Sequence, residues 1–114
     1  MCRALGIDEE TLAELPRYER SDRFTLLEKA ALDLAVAMSR SPAEVGDDLR
    51  DRLLAQLSPG QLAELASAIA WENHHARLNR ALGVREMGFA DGGFCLLPER
   101  PPQAPLARVD PAVQ

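Results

Sequence analysis

Apolar residues recur at three- and four-residue intervals through most of this chain, which is the pattern of amphipathic helices. The clearest stripe belongs to a helix predicted from Leu26 to Arg40. Its apolar positions are Phe24, Leu27, Ala31, Leu34 and Met38. Thr25 and Glu28 precede it as a T-x-x-E capping box, in which each side chain satisfies the other residue's free backbone N–H. We therefore expect this helix to supply much of the core.

Shorter helices are predicted on both sides of it. Asp8 can cap a helix through Leu15, which Pro16 ends. The segment 41–44, Ser-Pro-Ala-Glu, predicts a second capping box and a single turn, and a longer helix is expected to begin near Asp47. The buried edge predicted for that helix is Leu49, Leu53 and Leu57.

The last predicted helix is the longest and is apolar on two opposite sides. Ser-Pro-Gly-Gln at 58–61 caps its start, and Gly83 ends it. One side carries Leu62, Leu65, Ala66, Ile69, Asn73 and Ala76, and the other carries Trp71, Leu78 and Leu82. A helix buried on both sides needs two sets of neighbours. We expect another subunit to cover the second side.

The candidate functional residues are polar groups in the middle of this helix: Glu72, Asn73, His75, Arg77 and Asn79. Glu72 and His75 have the Glu-x-x-His spacing of di-metal helical bundles. Such sites need a second copy of the motif and two further carboxylates, and the sequence contains no second copy. We therefore predict no metal, and expect both residues to meet arginines or backbone groups at a subunit or helix boundary.

Three neighbouring residues have structural interpretations. His74 and His75 point about 100° apart, so they cannot serve as a pair on one metal ion, and neither has a nucleophile or carboxylate beside it. Asn73 is expected to be a buried hydrogen-bond bracket, because it is in line with Ile69. Trp71 is expected to anchor a core or an interface.

Composition supports the helical prediction and limits the partners. Alanine and leucine predominate over β-branched residues, and the net charge is −5, which disfavours binding to nucleic acid. The helix-turn-helix-like junction at 57–62 leads into residues 61–70, which contain no arginine or lysine to contact DNA. No apolar run reaches the roughly 20 residues that span a bilayer, and the first residues have no signal-peptide pattern. We predict a cytoplasmic protein.

The chain changes character after Val84. Residues 85–97 contain three glycines and scattered apolar residues, and we predict an irregular arm that packs on the surface. Residues 98–114 contain five of the eight prolines and are predicted to be a flexible tail. The domain prediction is therefore an all-α unit of four to five helices over residues 1–84.

Three segments of the sequence resemble the carboxymuconolactone decarboxylase family, which includes alkylhydroperoxidase-D-like proteins. They are FTLLEKAALDLAVAMSRSP from Phe24, the junction LSPGQL at 57–62, and AIAWENHHARLNRALGV at 68–84. The most specific part is Asn73-x-x-x-Arg77-x-Asn79-x-Ala-Leu-Gly. The opening CRALGIDEETLAELPRYERSDRF also looks like the family's link out of its active-site helix.

The resemblance implies an all-α fold that assembles as trimers or hexamers. It also implies chemistry that resides upstream of the segments quoted. In the peroxidase branch, a Cys-x-x-Cys pair attacks a peroxide, forms a sulfenic acid and is resolved as a disulfide. The decarboxylase branch acts on a lactone by acid–base chemistry. The resemblance implies no cofactor.

The sequence departs from this pattern because it contains no Cys-x-x-Cys. By the resemblance, Cys2 lies about two turns beyond the place of the pair, and Cys95 lies in the predicted arm. We therefore assign no catalytic, cofactor or metal-binding residue. One explanation is that Met1 is internal to a longer peroxidase, and the start in mid-helix favours it. The alternative is a shortened relative that retains association or pocket binding without catalysis.

Overall fold

The described part of the chain is built from helices only. A computed structural model describes residues 6–84, and within them no strand is formed. The elements are α1 (Glu9–Glu14), a 3₁₀ helix (Leu15–Arg20), α2 (Leu26–Ser39), α3 (Asp47–Leu54) and α4 (Pro59–Ala81). The all-α prediction is confirmed for this part, and the predictions for residues 85–97 and 98–114 lie outside it.

The first helix begins as predicted and ends within one residue of the predicted end. The Asp8 carboxylate accepts a hydrogen bond of 2.6 Å from the backbone N–H of Thr11, which caps α1. Helix α1 ends at Glu14, with Leu15 as its C-cap, and Pro16 lies in the first turn of the 3₁₀ helix that follows, where a proline's missing N–H has no partner to lose. This 3₁₀ segment runs to Arg20 with a kink at Arg17, whose φ of −124° and ψ of 23° are not helical.

The two capping boxes that begin α2 and α4 are both present. Thr25 Oγ1 accepts from the N–H of Glu28, and the Glu28 carboxylate accepts from the N–H of Thr25. Ser58 and Gln61 make the same reciprocal pair at the start of α4. These boxes fix where each helix begins, which is why the local sequence located both starts correctly.

The capping box predicted at Ser41 is wrong. Residues 40–46 form no helical turn, and α3 begins at Asp47 after Gly46, with no side-chain cap. The Ser41 hydroxyl instead accepts a hydrogen bond of 3.1 Å from Arg77 on α4. A tertiary contact therefore uses the oxygen that would have capped a local helix.

Helix α4 ends in a Schellman motif. Gly83 has a φ of +67°, the left-handed conformation that glycine adopts most readily. Its N–H donates to the carbonyl of Arg80, and the N–H of Val84 donates to the carbonyl of Asn79. The predicted C-terminal glycine cap is confirmed.

The core lies where α2, α3 and α4 meet. Its buried residues are Ala30, Leu34, Leu49 and Leu53, and Leu53 has no exposed surface. Leu57, Leu62, Leu65 and Ile69 are among the partly buried residues packed on them. The predicted α2 stripe is confirmed at Leu34, which is buried, and at Leu27 and Met38, which pack against the core. The difference is that Ala30 is buried while Ala31 is half-buried. A small side chain at position 30 allows neighbouring helices to approach α2 closely.

The second apolar side of α4 remains uncovered by the described residues. Trp71 is 61% exposed and Leu82 is 68% exposed, and no residue of α4 is fully buried. The described residues of one chain thus leave this side exposed, and its coverage by another subunit stays a prediction. Within residues 6–84, no helix combines the length and apolar character needed to cross a membrane.

Candidate functional site

Two polar side chains of α4 donate hydrogen bonds to the C-terminal end of α2. Helix α2 leaves its last carbonyls without intrahelical partners, as every α-helix does. Asn73 Nδ2 donates to the carbonyl of Met38 at 3.3 Å, and Asn73 Oδ1 lies 3.0 Å from the hydroxyl of Ser39. The Ser39 hydroxyl also lies 2.7 Å from the carbonyl of Ala35, so its single proton is shared between two acceptors. Asn73 thus joins α4 to the end of α2 by hydrogen bonds, as predicted, although its side chain is only half-buried.

Arg77 continues this contact one turn further along α4. Its Nη2 donates to the carbonyl of Ser39 at 3.5 Å and to the hydroxyl of Ser41 at 3.1 Å. A cation at a helix C-terminus is favourable, because the free carbonyls there carry partial negative charge. Asn73 and Arg77 share a face because they are four residues apart, and together they join α4 to the turn after α2.

A groove lies beside these two residues, and we call it the α2–α4 groove. It has a volume of about 440 Å³ and is lined by Met38, Arg40, Ser41, Pro42, Ala43, Ala70, Asn73, His74 and Arg77. No aspartate or glutamate belongs to this lining. The groove therefore combines cationic and neutral polar groups with a small apolar surface.

The α2–α4 groove is not lined by the other three predicted polar residues, Glu72, His75 and Asn79. Glu72 is exposed, and its side chain forms no ion pair or hydrogen bond with another described residue. Asn79 is exposed, and its backbone carbonyl closes the Schellman motif. His75 is half-buried against Trp71 on another face of α4. Within residues 6–84, no three histidine, cysteine or carboxylate side chains are grouped closely enough to hold a metal ion.

Aromatic side chains gather on the uncovered side of α4. The ring centroids of Trp71 and His75 are 4.5 Å apart in an edge-to-face arrangement, and those of Trp71 and His74 are 5.9 Å apart and stacked. Leu78 and Leu82 extend this surface toward the C-terminus and are 43% and 68% exposed. We call Trp71, His75, Leu78 and Leu82 the outward face.

A second polar cluster lies on the opposite part of α2 and was not predicted. The hydroxyl of Tyr18 donates to Asp33 Oδ1 at 2.6 Å, and Arg52 Nη2 donates to Asp33 Oδ2 at 3.3 Å. Burial raises the pKa of Tyr18 to about 12, and the hydrogen bond to the Asp33 carboxylate adds to the effect. The cluster joins the 3₁₀ helix to α2 and α3.

This cluster borders a groove of about 400 Å³ whose lining includes Leu26, Lys29 and Ala55. The Lys29 ammonium donates to the carbonyl of Glu19 at 3.2 Å, and the carboxylates and cations around the groove balance in number. No motif or spacing pointed to this cluster, because its three members come from separate elements. We interpret it as a structural network.

Comparison with known proteins gives one informative match. No family model matches the chain, and no solved structure matches it. The chain is similar to the uncharacterized protein YnjA of Escherichia coli (strain K12), with 34% identity over 95 residues. The similarity covers 83% of this chain and 49% of YnjA, so the chain spans about half the length of that relative.

Proposed function

We propose that this chain is a helical assembly module of the carboxymuconolactone decarboxylase type, which associates with further copies through the outward face of α4. The observation that carries the proposal is the exposure of large apolar side chains along one side of a well-formed helix. The resemblance quoted from the sequence supports the family, and it implies trimers or hexamers. A cytoplasmic location of the protein stays a prediction.

The outward face has the spacing of a helix–helix seam. Trp71, His75, Leu78 and Leu82 follow one another at intervals of four, three and four residues, which places them within an arc of about 60° on a helix. The opposite side of α4 packs on the core through Leu62, Leu65 and Ile69. The outward face is thus separate from the surface that α4 uses within its own chain.

Covering this face would release substantial free energy. A tryptophan presents roughly 150–250 Å² of surface. With 61% of Trp71 exposed, its burial contributes about 3 kcal/mol at about 25 cal/mol per Å². Leu82, 68% exposed, adds about 1.5 kcal/mol. These gains offset part of the cost of association, which is about 4–15 kcal/mol, so flanking contacts must supply the remainder.

Sedimentation velocity of the full chain tests this proposal. The wild-type protein is expected to sediment as an assembly larger than the 12.5 kDa monomer. A Trp71→Gln/Leu82→Gln variant is expected to sediment as the monomer, because glutamine keeps helix propensity and removes the apolar surface. Leu26→Gln is the matched control, since Leu26 is 81% exposed on α2 and lies away from α4's outward face.

Two results would contradict the proposal. One is a monomeric wild-type chain at about 100 µM, a concentration at which even a weak assembly of micromolar Kd forms. The other is an assembly that survives the double substitution and is lost only in the Leu26 control, which would place the contact elsewhere.

Thiol-dependent peroxidase activity stays a prediction from the family resemblance. The described residues 6–84 contain no cysteine, so none of the contacts described above supplies the thiol chemistry. For the chain itself the proposal expects no consumption of an alkyl hydroperoxide with a dithiol reductant above the uncatalysed rate. Hydroperoxide consumption that is abolished by Cys2→Ser or Cys95→Ser would contradict the non-catalytic proposal and favour the peroxidase.

A further inference from the structure

We propose that the α2–α4 groove binds a small carboxylate that carries a short apolar body. This site is separate from the outward face, and the proposal does not depend on association. It rests on the charges, the fixed donors and the apolar surface that the groove brings together.

The charges around the groove are of one sign. Arg40 and Arg77 are among the residues that line the groove, and no aspartate or glutamate is among them. Neither arginine forms an ion pair with a carboxylate of the described residues, whereas Arg50 and Arg52 do so with Asp47 and Asp33. In a chain of net charge −5, two arginines without carboxylate partners in one groove favour an anionic ligand.

The position of Arg77 is fixed before any ligand arrives. Its Nη2 is held by the carbonyl of Ser39 and the hydroxyl of Ser41. Its Nη1 and Nε make no hydrogen bond with another described residue, so they remain available as donors. A guanidinium held in this way loses less side-chain entropy when it binds an oxyanion.

The remainder of the lining is apolar and small. Met38, Pro42, Ala43 and Ala70 provide a surface beside the arginines, within a groove of about 440 Å³. Small-molecule sites in proteins have volumes of about 300–1,000 Å³ and combine an apolar lining with a few polar groups that fix orientation. A fully hydrated inorganic anion would leave this apolar surface unused, which favours an organic carboxylate.

Saturation-transfer difference NMR on the full chain tests the ligand class with four probes. Hexanoate is expected to bind with a Kd of about 1–10 mM, which suits a shallow, open site. Acetate is expected to bind at least about fivefold more weakly because it lacks the apolar body. Hexan-1-ol, which lacks the charge, is expected to show no transfer, and inorganic phosphate should not displace hexanoate at equal concentration.

Substitutions then locate the binding. Arg40→Gln is expected to weaken hexanoate binding about fivefold or more, because one charge-assisted contact is lost. Arg50→Gln is the matched control and should leave the Kd unchanged, since Arg50 lies on α3 and pairs with Asp47. Arg77→Gln is expected to have the larger effect, and far-UV circular dichroism checks that this variant keeps its helices. If Arg77→Gln does not fold, the comparison of Arg40→Gln with Arg50→Gln still tests the proposal.

Three outcomes would overturn the proposal. The first is no saturation transfer to hexanoate at about 50 mM, well above the expected Kd. The second is equal transfer to hexan-1-ol, or displacement of hexanoate by phosphate, either of which would refute recognition of an apolar carboxylate. The third is equal weakening by Arg40→Gln and Arg50→Gln, which would show attraction to the general surface charge.

Discussion

Replacing Leu53 by alanine should remove a large share of the stability of this domain. Leu53 is fully buried, and only three other described residues, Ala30, Leu34 and Leu49, belong to the buried core. Leu→Ala removes the equivalent of about three methylene groups at about 0.8 kcal/mol each, and the cavity that remains adds to this loss. The expected destabilisation is about 3 kcal/mol.

Urea denaturation followed by far-UV circular dichroism measures this effect. With a slope of about 1.5 kcal/mol per molar urea, the midpoint should fall by about 2 M. Leu26→Ala is the matched control, because the same substitution at a residue that is 81% exposed should change the free energy of unfolding by less than about 0.5 kcal/mol. Protein concentration must be equal in all samples, since association stabilises the folded chain by mass action.

The reasoning would be refuted if Leu53→Ala and Leu26→Ala shifted the midpoint equally. A shift below about 0.5 M for Leu53→Ala would also refute it. The contact between α2, α3 and α4 would then contribute too little to the free energy of unfolding to be the core.

Three further changes test local features of the fold. Ser58→Ala should destabilise the domain by about 1 kcal/mol in the same urea assay, because the α4 capping box loses its hydroxyl. Gly83→Ala should cost about 1–2 kcal/mol through backbone strain alone, since its φ is +67° and a Cβ there would meet no atom within 4 Å; a neutral result would refute the Schellman cap. Tyr18, the single tyrosine, should titrate by ultraviolet absorbance at about pH 12 in the folded chain and near 10 in urea. Its contribution to stability is therefore complete below pH 10 and is lost as the pH rises toward 12, and Tyr18→Phe should remove that dependence.

The sequence located the features that depend on local chemistry. The boxes at Thr25 and Ser58 and the cap at Gly83 involve residues within a few positions of one another, so the chain itself contains the information. Asn73 was also predicted as a bracket, because a polar residue in line with Ile69 must meet a partner near the core.

Features decided by tertiary contacts were missed. Ser41 has a local capping signal, but Arg77, 36 residues away, engages its hydroxyl. The burial of Ala30 rather than Ala31 depends on where α3 and α4 pack, which α2 alone does not specify. Tyr18, Asp33 and Arg52 come together only through the arrangement of three elements, so spacing could not reveal them.

The environment of Trp71 tests the central claim most directly, because it is the single tryptophan of the chain and belongs to the outward face. Acrylamide quenching of its fluorescence should be measured as the full chain is diluted from about 100 µM to about 0.1 µM, a range that spans micromolar association. The account predicts a protected tryptophan at high concentration that becomes accessible on dilution, and an accessible one throughout in Leu82→Gln. Equal, strong quenching of the wild-type chain at every concentration would contradict association through this face.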